Sequence, residues 1–120
     1  MKRLLYFILF ITFAAQLSAA QFRAGAAKAD ITPGLWPVQM IGSFHERLAT
    51  KAHDPLHARA IVTDDGNTRL AIVIVDNCLI GRNYIDAAKA IIANKTKIRA
   101  DRVLVAATHT HTAPPGKDRS

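Results

Sequence analysis

The feature that most restricts this chain is an apolar run without a polar break, Leu70 to Val75, inside the segment Thr68 to Val75 (TRLAIVIV). Such a run suits a central strand covered on both faces. Asp64-Asp65-Gly66-Asn67 precedes it as a strong turn signal, and Ala58 to Thr63 reads as another strand. The two strands predict an antiparallel hairpin. Downstream, Ile85, Ala88 and Ile92 recur at helical spacing and predict a helix from about Asn83 to Lys97. Ile91 widens its apolar face, and Lys89 and Lys95 are expected to face solvent. Val103 to Ala107 (VLVAA) is the next strand. Strand, helix and strand in that order predict a βαβ unit with a right-handed crossover, so strands 68–75 and 103–107 run parallel. The expected fold class is α/β, a mixed sheet with an antiparallel hairpin and a βαβ unit.

Upstream, Arg23 to Ile31 reads as a first strand, stopped by Thr32-Pro33-Gly34, and Pro37 prolongs the break. Residues 32–57 hold three of the five prolines and three of the five histidines, so they read as a long irregular segment. Segments of that kind in compact domains are usually functional or disordered. Leu35, Trp36, Val38, Met40, Ile41 and Phe44 argue against disorder, because they call for burial.

Residues 1–20 read as a signal peptide outside the fold. Lys2 and Arg3 give a positive start, Leu4 to Ala15 is apolar apart from Thr12, and Ser18-Ala19-Ala20 offers small residues for cleavage near Ala20. The apolar run falls short of the roughly 20 residues a spanning helix needs. The expected location is therefore secreted or periplasmic, with residues 21–120 as the folded part.

The net charge is +7, of which Lys2 and Arg3 contribute two. The remaining basic residues are scattered, apart from a loose group at Lys95, Lys97, Arg99 and Arg102, with no aromatic residues among them. A nucleic-acid partner would want a clustered patch, so none is expected, and the group reads as a solvated helix face. Cys78 is the only cysteine, which excludes an intrachain disulfide. It reads as a small buried hydrophobe. Asn94-Lys95-Thr96 is a glycosylation sequon, but it falls in the predicted helix.

The two parallel strands end at one edge of the sheet. The first releases Asp76-Asn77-Cys78 and the second Thr108-His109-Thr110-His111-Thr112. Open α/β sheets bind ligands beyond the carboxyl ends of their strands, so this rim is the expected site, with Asp76 and the two histidines gathered at it. In an extended chain alternate side chains share a face. His109 and His111 could then meet one ligand or one metal, and imidazole suits zinc. The alternatives are a polar loop with two solvated histidines, and an Asp76 that caps a neighbouring turn. The Pro114-Pro115-Gly116 turn favours the metal reading. Pro55 between His53 and His57 argues against a helical metal pair there. Arg59 is placed to pair a carboxylate, with Asp76 the candidate, or to face water.

These residues resemble the neutral/alkaline non-lysosomal ceramidases. Ala24 to Thr32 (AGAAKADIT) resembles the family's opening segment. Met40-Ile41-Gly42 is similar to its Met-x-Gly element. His53 to Ala60 (HDPLHARA) is similar to its entry into the Ala-Arg-Ala strand, and Ala106 to His111 (AATHTH) matches its Ala-Thr-His-Thr-His segment. After the histidines the chain reads Thr112-Ala113-Pro114-Pro115-Gly116, where the family usually has Ser/Ala-Gly-Pro-Gly. The resemblance implies a zinc-dependent amidohydrolase that cleaves the N-acyl bond of ceramide or a related lipid amide. It implies a Zn2+ ligand at His109 and a catalytic histidine at His111, which handles the substrate oxygen. Its partners would be a small-molecule lipid amide and the membrane surface. The family's further ligands, a histidine, a glutamate and a tyrosine, and its active-site serine have no counterpart here. The expectation is therefore the N-terminal portion of a longer ceramidase-like catalytic domain. The competing reading is an exported non-catalytic binding module or an inactive fragment of such an enzyme.

Overall fold

The structure, a computed structural model, describes residues 21–116. The signal-peptide reading of residues 1–20 lies outside the described residues.

The elements are β1 (Arg23–Asp30), β2 (Val38–Met40), β3 (Arg47–Ala49), β4 (His57–Asp64), β5 (Arg69–Val75), α1 (Arg82–Thr96), a short 3-10 turn (Ala100–Arg102) and β6 (Val103–Ala107). A four-stranded mixed sheet has the order β1-β4-β5-β6. β4 is antiparallel to both β1 and β5, while β5 and β6 are parallel. The fold is the expected α/β arrangement.

The β4–β5 turn forms for a local reason. Asp65 Oδ1 accepts the Asn67 and Thr68 N–H groups at 2.9 and 2.7 Å, and Asp64 Oδ1 accepts Gly66 N–H at 2.8 Å. Short carboxylates closing bonds to nearby backbone are what Asp supplies in turns. Gly66 carries a φ of +92°, a conformation open to glycine.

The segment 32–57 is less irregular than its prolines suggest. β2 and β3 pair antiparallel, with Val38 opposite Ala49 and Met40 opposite Arg47, in a small sheet separate from the main one. Leu35 and Phe44, expected to be buried, are exposed. Leu35 precedes β2 and Phe44 lies in the β2–β3 connection, and both side chains stand out from the chain.

The core lies on the α1 side of the main sheet. Ala71, Ile98 and Val103 are buried there, with Val62, Ile92 and Val105 packed against them. Ile85, Ala88 and Ile92 of α1 are half-buried as the spacing predicts. The apolar stripe is narrower than expected, however: Ile91 is exposed and Lys89 is half-covered. The helix ends at Lys97, whose φ of +61° turns the chain back toward β6.

On the opposite face Ile61, Ile72 and Leu104 stand in register across three strands and are 55%, 47% and 56% exposed. The unbroken run calls for cover on both faces, and among the described residues one of those faces has none. One layer of helix covers one face, and period-two alternation in β5 puts half of an unbroken apolar run on the other.

Candidate metal centre at the carboxyl ends of the parallel strands

β5 and β6 release their chains side by side, and the pairing runs on past the strands. Thr108 N–H donates to the Val75 carbonyl at 2.9 Å. The loop after β6 is then clasped to the loop after β5. Gly116 N–H donates to Leu79 O at 2.9 Å, and Gly81 N–H donates to Gly116 O at 3.0 Å. The Asn77 side-chain oxygen also accepts the Gly116 N–H at 2.8 Å, so the clasp is held from both loops. The turn within this loop falls at His111–Thr112; Pro114 and Pro115 lead instead into the Gly116 bridge. Between its two anchored ends the loop carries His109 and His111.

His109 does not lie in extended chain. Its φ of +59° is left-handed, so the alternation expected of an extended His-x-His does not operate. The rings still converge, by a different route. Their centroids are 5.0 Å apart at 76°, edge to face, and Nε2 lies 3.4 Å from Nε2. The Thr110 and Thr112 hydroxyls bond at 2.8 Å and tighten the turn between and after them.

The tautomer of His109 follows from its partner. Nδ1 lies 2.7 Å from the carbonyl oxygen of Cys78. A carbonyl only accepts, so Nδ1 carries the proton and Nε2 is left with its lone pair. A backbone carbonyl on the far nitrogen is a common way of orienting a metal-binding histidine. In the pair as it stands, His111 Nε2–H is the donor to that lone pair.

The donor set fits a zinc ion. His109 Nε2 is the imidazole nitrogen left with a lone pair to give, and His111 Nε2, which carries its proton, stands 3.4 Å from it. Cys78, His109 and His111 offer ligand atoms within 4.8 Å of one another. Cys78 is buried, as the sequence reading expected. Its Sγ meets the His109 ring at Nδ1, 4.0 Å away, the nitrogen already committed to the carbonyl. It is the carbonyl of Cys78, more than its thiol, that builds the site.

Asp76 turns away from the pair. Its Oδ2 accepts His57 N–H at 2.9 Å and Arg59 Nη1–H at 2.7 Å. Burial pushes its carboxyl up, but the Arg59 guanidinium and the His57 N–H outweigh this and hold it below the usual carboxylate range. The expected gathering of one carboxylate and two imidazoles is therefore corrected: a strand-end Asp with an Arg two residues along the neighbouring strand pairs locally. Arg59 does pair Asp76, one of its two expected fates. His53 faces solvent beside Asp54, and His57 Nδ1 stands 3.3 Å from Arg59 Nη2. Neither joins the histidine pair.

Gly42 is a part of the site that residue-by-residue reading missed. Its φ is +90°, and a Cβ there would fall on the His111 ring, 2.6 Å from Nδ1. The loop after β2 thus forms one wall of the imidazole. The Met-x-Gly spacing was the available signal.

No family model matches the chain. It is similar to the neutral ceramidase of Drosophila pseudoobscura pseudoobscura, at 30% identity over 106 residues, covering 83% of this chain and 15% of that protein. The neutral ceramidase of Drosophila melanogaster is 30% identical over 112 residues, covering 88% of this chain and 16% of that one. Among solved structures, the neutral ceramidase from Pseudomonas aeruginosa superposes with a TM-score of 0.67 at 30% identity, over 78% of this chain and 16% of that one. A ceramidase complexed with C2 superposes with a TM-score of 0.63 at 32% identity, over 78% of this chain and 15% of that one. The chain thus spans about a sixth of the length of the curated relatives it matches.

Proposed function

The chain belongs to the neutral ceramidase family, and on that premise we propose that it supplies the histidine-bearing rim of a secreted or periplasmic, zinc-dependent amidohydrolase. The substrate is the N-acyl bond of ceramide or a related lipid amide, and the products are a long-chain base and a fatty acid. The observation that carries the reading is the His109 ring, with Nδ1 tied to the Cys78 carbonyl and Nε2 facing His111 Nε2 at 3.4 Å.

In this reading His109 would hold zinc through Nε2, with ring orientation set by the Cys78 carbonyl. When bound, zinc supplies Lewis-acid polarisation of a carbonyl and lowers the pKa of its water to about 7. With a zinc ion on His109, the His111 Nε2–H would no longer serve as donor within the pair. That proton is then free to point at the oxygen of the amide carbonyl and to stabilise the charge that develops there. Gly42 keeps the His111 ring against the β2 loop, so that the donor does not swing away. Arg59 and Asp76 fix the neighbouring strand ends and keep the rim rigid.

The test is hydrolysis of an N-acyl sphingosine and of a simple N-acyl amine by the purified protein that carries this chain, before and after chelation. Hydrolysis of the sphingosine amide that chelator abolishes and zinc restores supports the reading. Hydrolysis insensitive to chelator, or none under zinc-replete conditions, overturns it.

A further inference from the structure

Lys97, Arg99 and Arg102 read in sequence as a solvated face. In the fold they border, together with Arg69, a surface cleft of about 230 Å³ whose other walls are Asp64, Gly66, Asn67 and the buried Ile98. The cleft lies at the amino ends of β5 and β6, across the sheet from the histidine pair. At about 3.3 Å per residue, β5 sets the two places roughly 20 Å apart. The cations arrive from separate pieces of chain: Arg69 opens β5, Lys97 ends α1, Arg99 follows it, and Arg102 closes the 3-10 turn.

The cleft's charges are unbalanced. Asp64, the one carboxylate in its wall, already accepts from Arg69 Nε at 2.8 Å, from Arg23 Nη2 at 3.1 Å and from Gly66 N–H. Arg99 spends Nε and Nη2 on Asp101. Lys97 and Arg102 have no ion pair among the described residues. Cations near a helix C-terminus offset its dipole, and that accounts for Lys97 and Arg99. Asp64 accounts for Arg69, while Arg102, beyond the turn, has the charge of neighbouring Asp101 near it and no ion pair of its own among the described residues.

We infer that this cleft binds a phosphate-class dianion, either inorganic phosphate or the phosphomonoester headgroup of a lipid. Such an anion offers several oxygens to the uncommitted Lys97 ammonium and Arg102 guanidinium, and to the Arg69 terminal nitrogens that Asp64 leaves over. Guanidinium groups match phosphate oxygens in pairs, and a lysine adds a point charge. The binding is independent of the amidase reading, since no residue of the histidine pair takes part.

The experiment uses the purified protein carrying this chain at fixed ionic strength. One arm titrates inorganic phosphate by calorimetry. The other measures co-flotation with phosphatidylcholine vesicles, with and without phosphatidic acid. Lys97→Gln/Arg102→Gln should weaken the binding at least tenfold, Lys97→Arg should keep it, and the remote Lys28→Gln should leave it unchanged. Unaltered circular dichroism in the double variant separates loss of the site from loss of the fold. Saturable phosphate binding assigns a soluble anion, and flotation that requires phosphatidic acid assigns a headgroup. The inference falls if neither arm shows binding, if the double variant binds as the parent does, or if Lys28→Gln weakens binding as much as the double variant.

Discussion

Gly42 lies against the imidazole of His111, so close that no side chain fits between them. The two residues are far apart in sequence, and their contact sets the wall of the candidate site. Gly42→Ala would place a methyl 2.6 Å from Nδ1 and would hold alanine at a φ of +90°. We expect amide hydrolysis to fall about tenfold or more while zinc content stays near parental, because the three atoms nearest to that position all belong to His111. Left-handed backbone also costs a non-glycine residue about 1–2 kcal/mol, so the melting temperature should drop. Gly25→Ala, which meets nothing within 4 Å, should change neither. Parental activity in Gly42→Ala would show that the wall does not position the ring.

His109→Ala and His111→Ala should part company. The first removes a metal ligand, so zinc content and rate should fall together. The second should keep most of the zinc and lose about a hundredfold or more in rate, the usual cost of one oxyanion donor. Metal analysis beside the hydrolysis rate reads both. Full zinc and full rate in both variants would make the histidines solvated loop residues. Exchanged phenotypes would reverse their roles.

Asp76 predicts an acid limb of stability. Burial raises its carboxyl, Arg59 and the His57 N–H lower it further than burial raises it, and the result lies below the usual range. A depressed folded value means that its contribution is present above the unfolded carboxyl value near 3.9. The contribution is lost as pH falls through the lower folded value. The Arg59 side chain is 50% exposed, so solvent screening keeps the pair's worth to about 1 kcal/mol or less. Chemical denaturation from pH 7 down to pH 3 should show a shallower acid limb in Asp76→Asn than in the parent. Identical limbs would remove Asp76 from the account.

The row Ile61, Ile72 and Leu104 leaves one face of the sheet apolar and open. The isolated segment 21–120 should therefore be poorly soluble or lack a sharp thermal transition, since contiguous exposed apolar patches drive association. Replacing all three by Thr should raise its solubility. A cooperative transition in the unmodified segment would contradict this.

Lys2, Arg3 and the apolar run after them should direct export, with cleavage near Ala20. Mass spectrometry of the mature N-terminus checks this. Met1 retained on membrane-extracted protein would exclude cleavage.

Much of the main sheet was legible in the sequence. The unbroken Leu70–Val75 run, the Asp-Asp-Gly-Asn turn and the i, i+3, i+7 spacing of Ile85, Ala88 and Ile92 are local signals. They gave β4, β5, α1 and β6 within a residue or two. The β2–β3 pair was not legible, because three-residue strands carry too few side chains to display a period. The exposure of Leu35, Phe44 and Ile91 was not legible either: apolar character states a preference for burial and does not state what will cover the residue.

The candidate site divides the same way. The sequence by itself determined that two histidines follow a parallel strand, and that the topology brings them to the rim where β5 ends. Both follow from hydrophobic periodicity and chain connectivity, which act over a few residues at a time. Only the tertiary structure decided how the two rings meet. The left-handed backbone at His109, the Cys78 carbonyl on its Nδ1 and the Gly42 wall behind His111 come from chain tens of residues apart. Such contacts depend on where distant loops settle once the sheet has formed, and no spacing along the chain encodes that. For the same reason Asp76 went to Arg59, its neighbour across the β4–β5 ladder, and not to the histidines that share its edge.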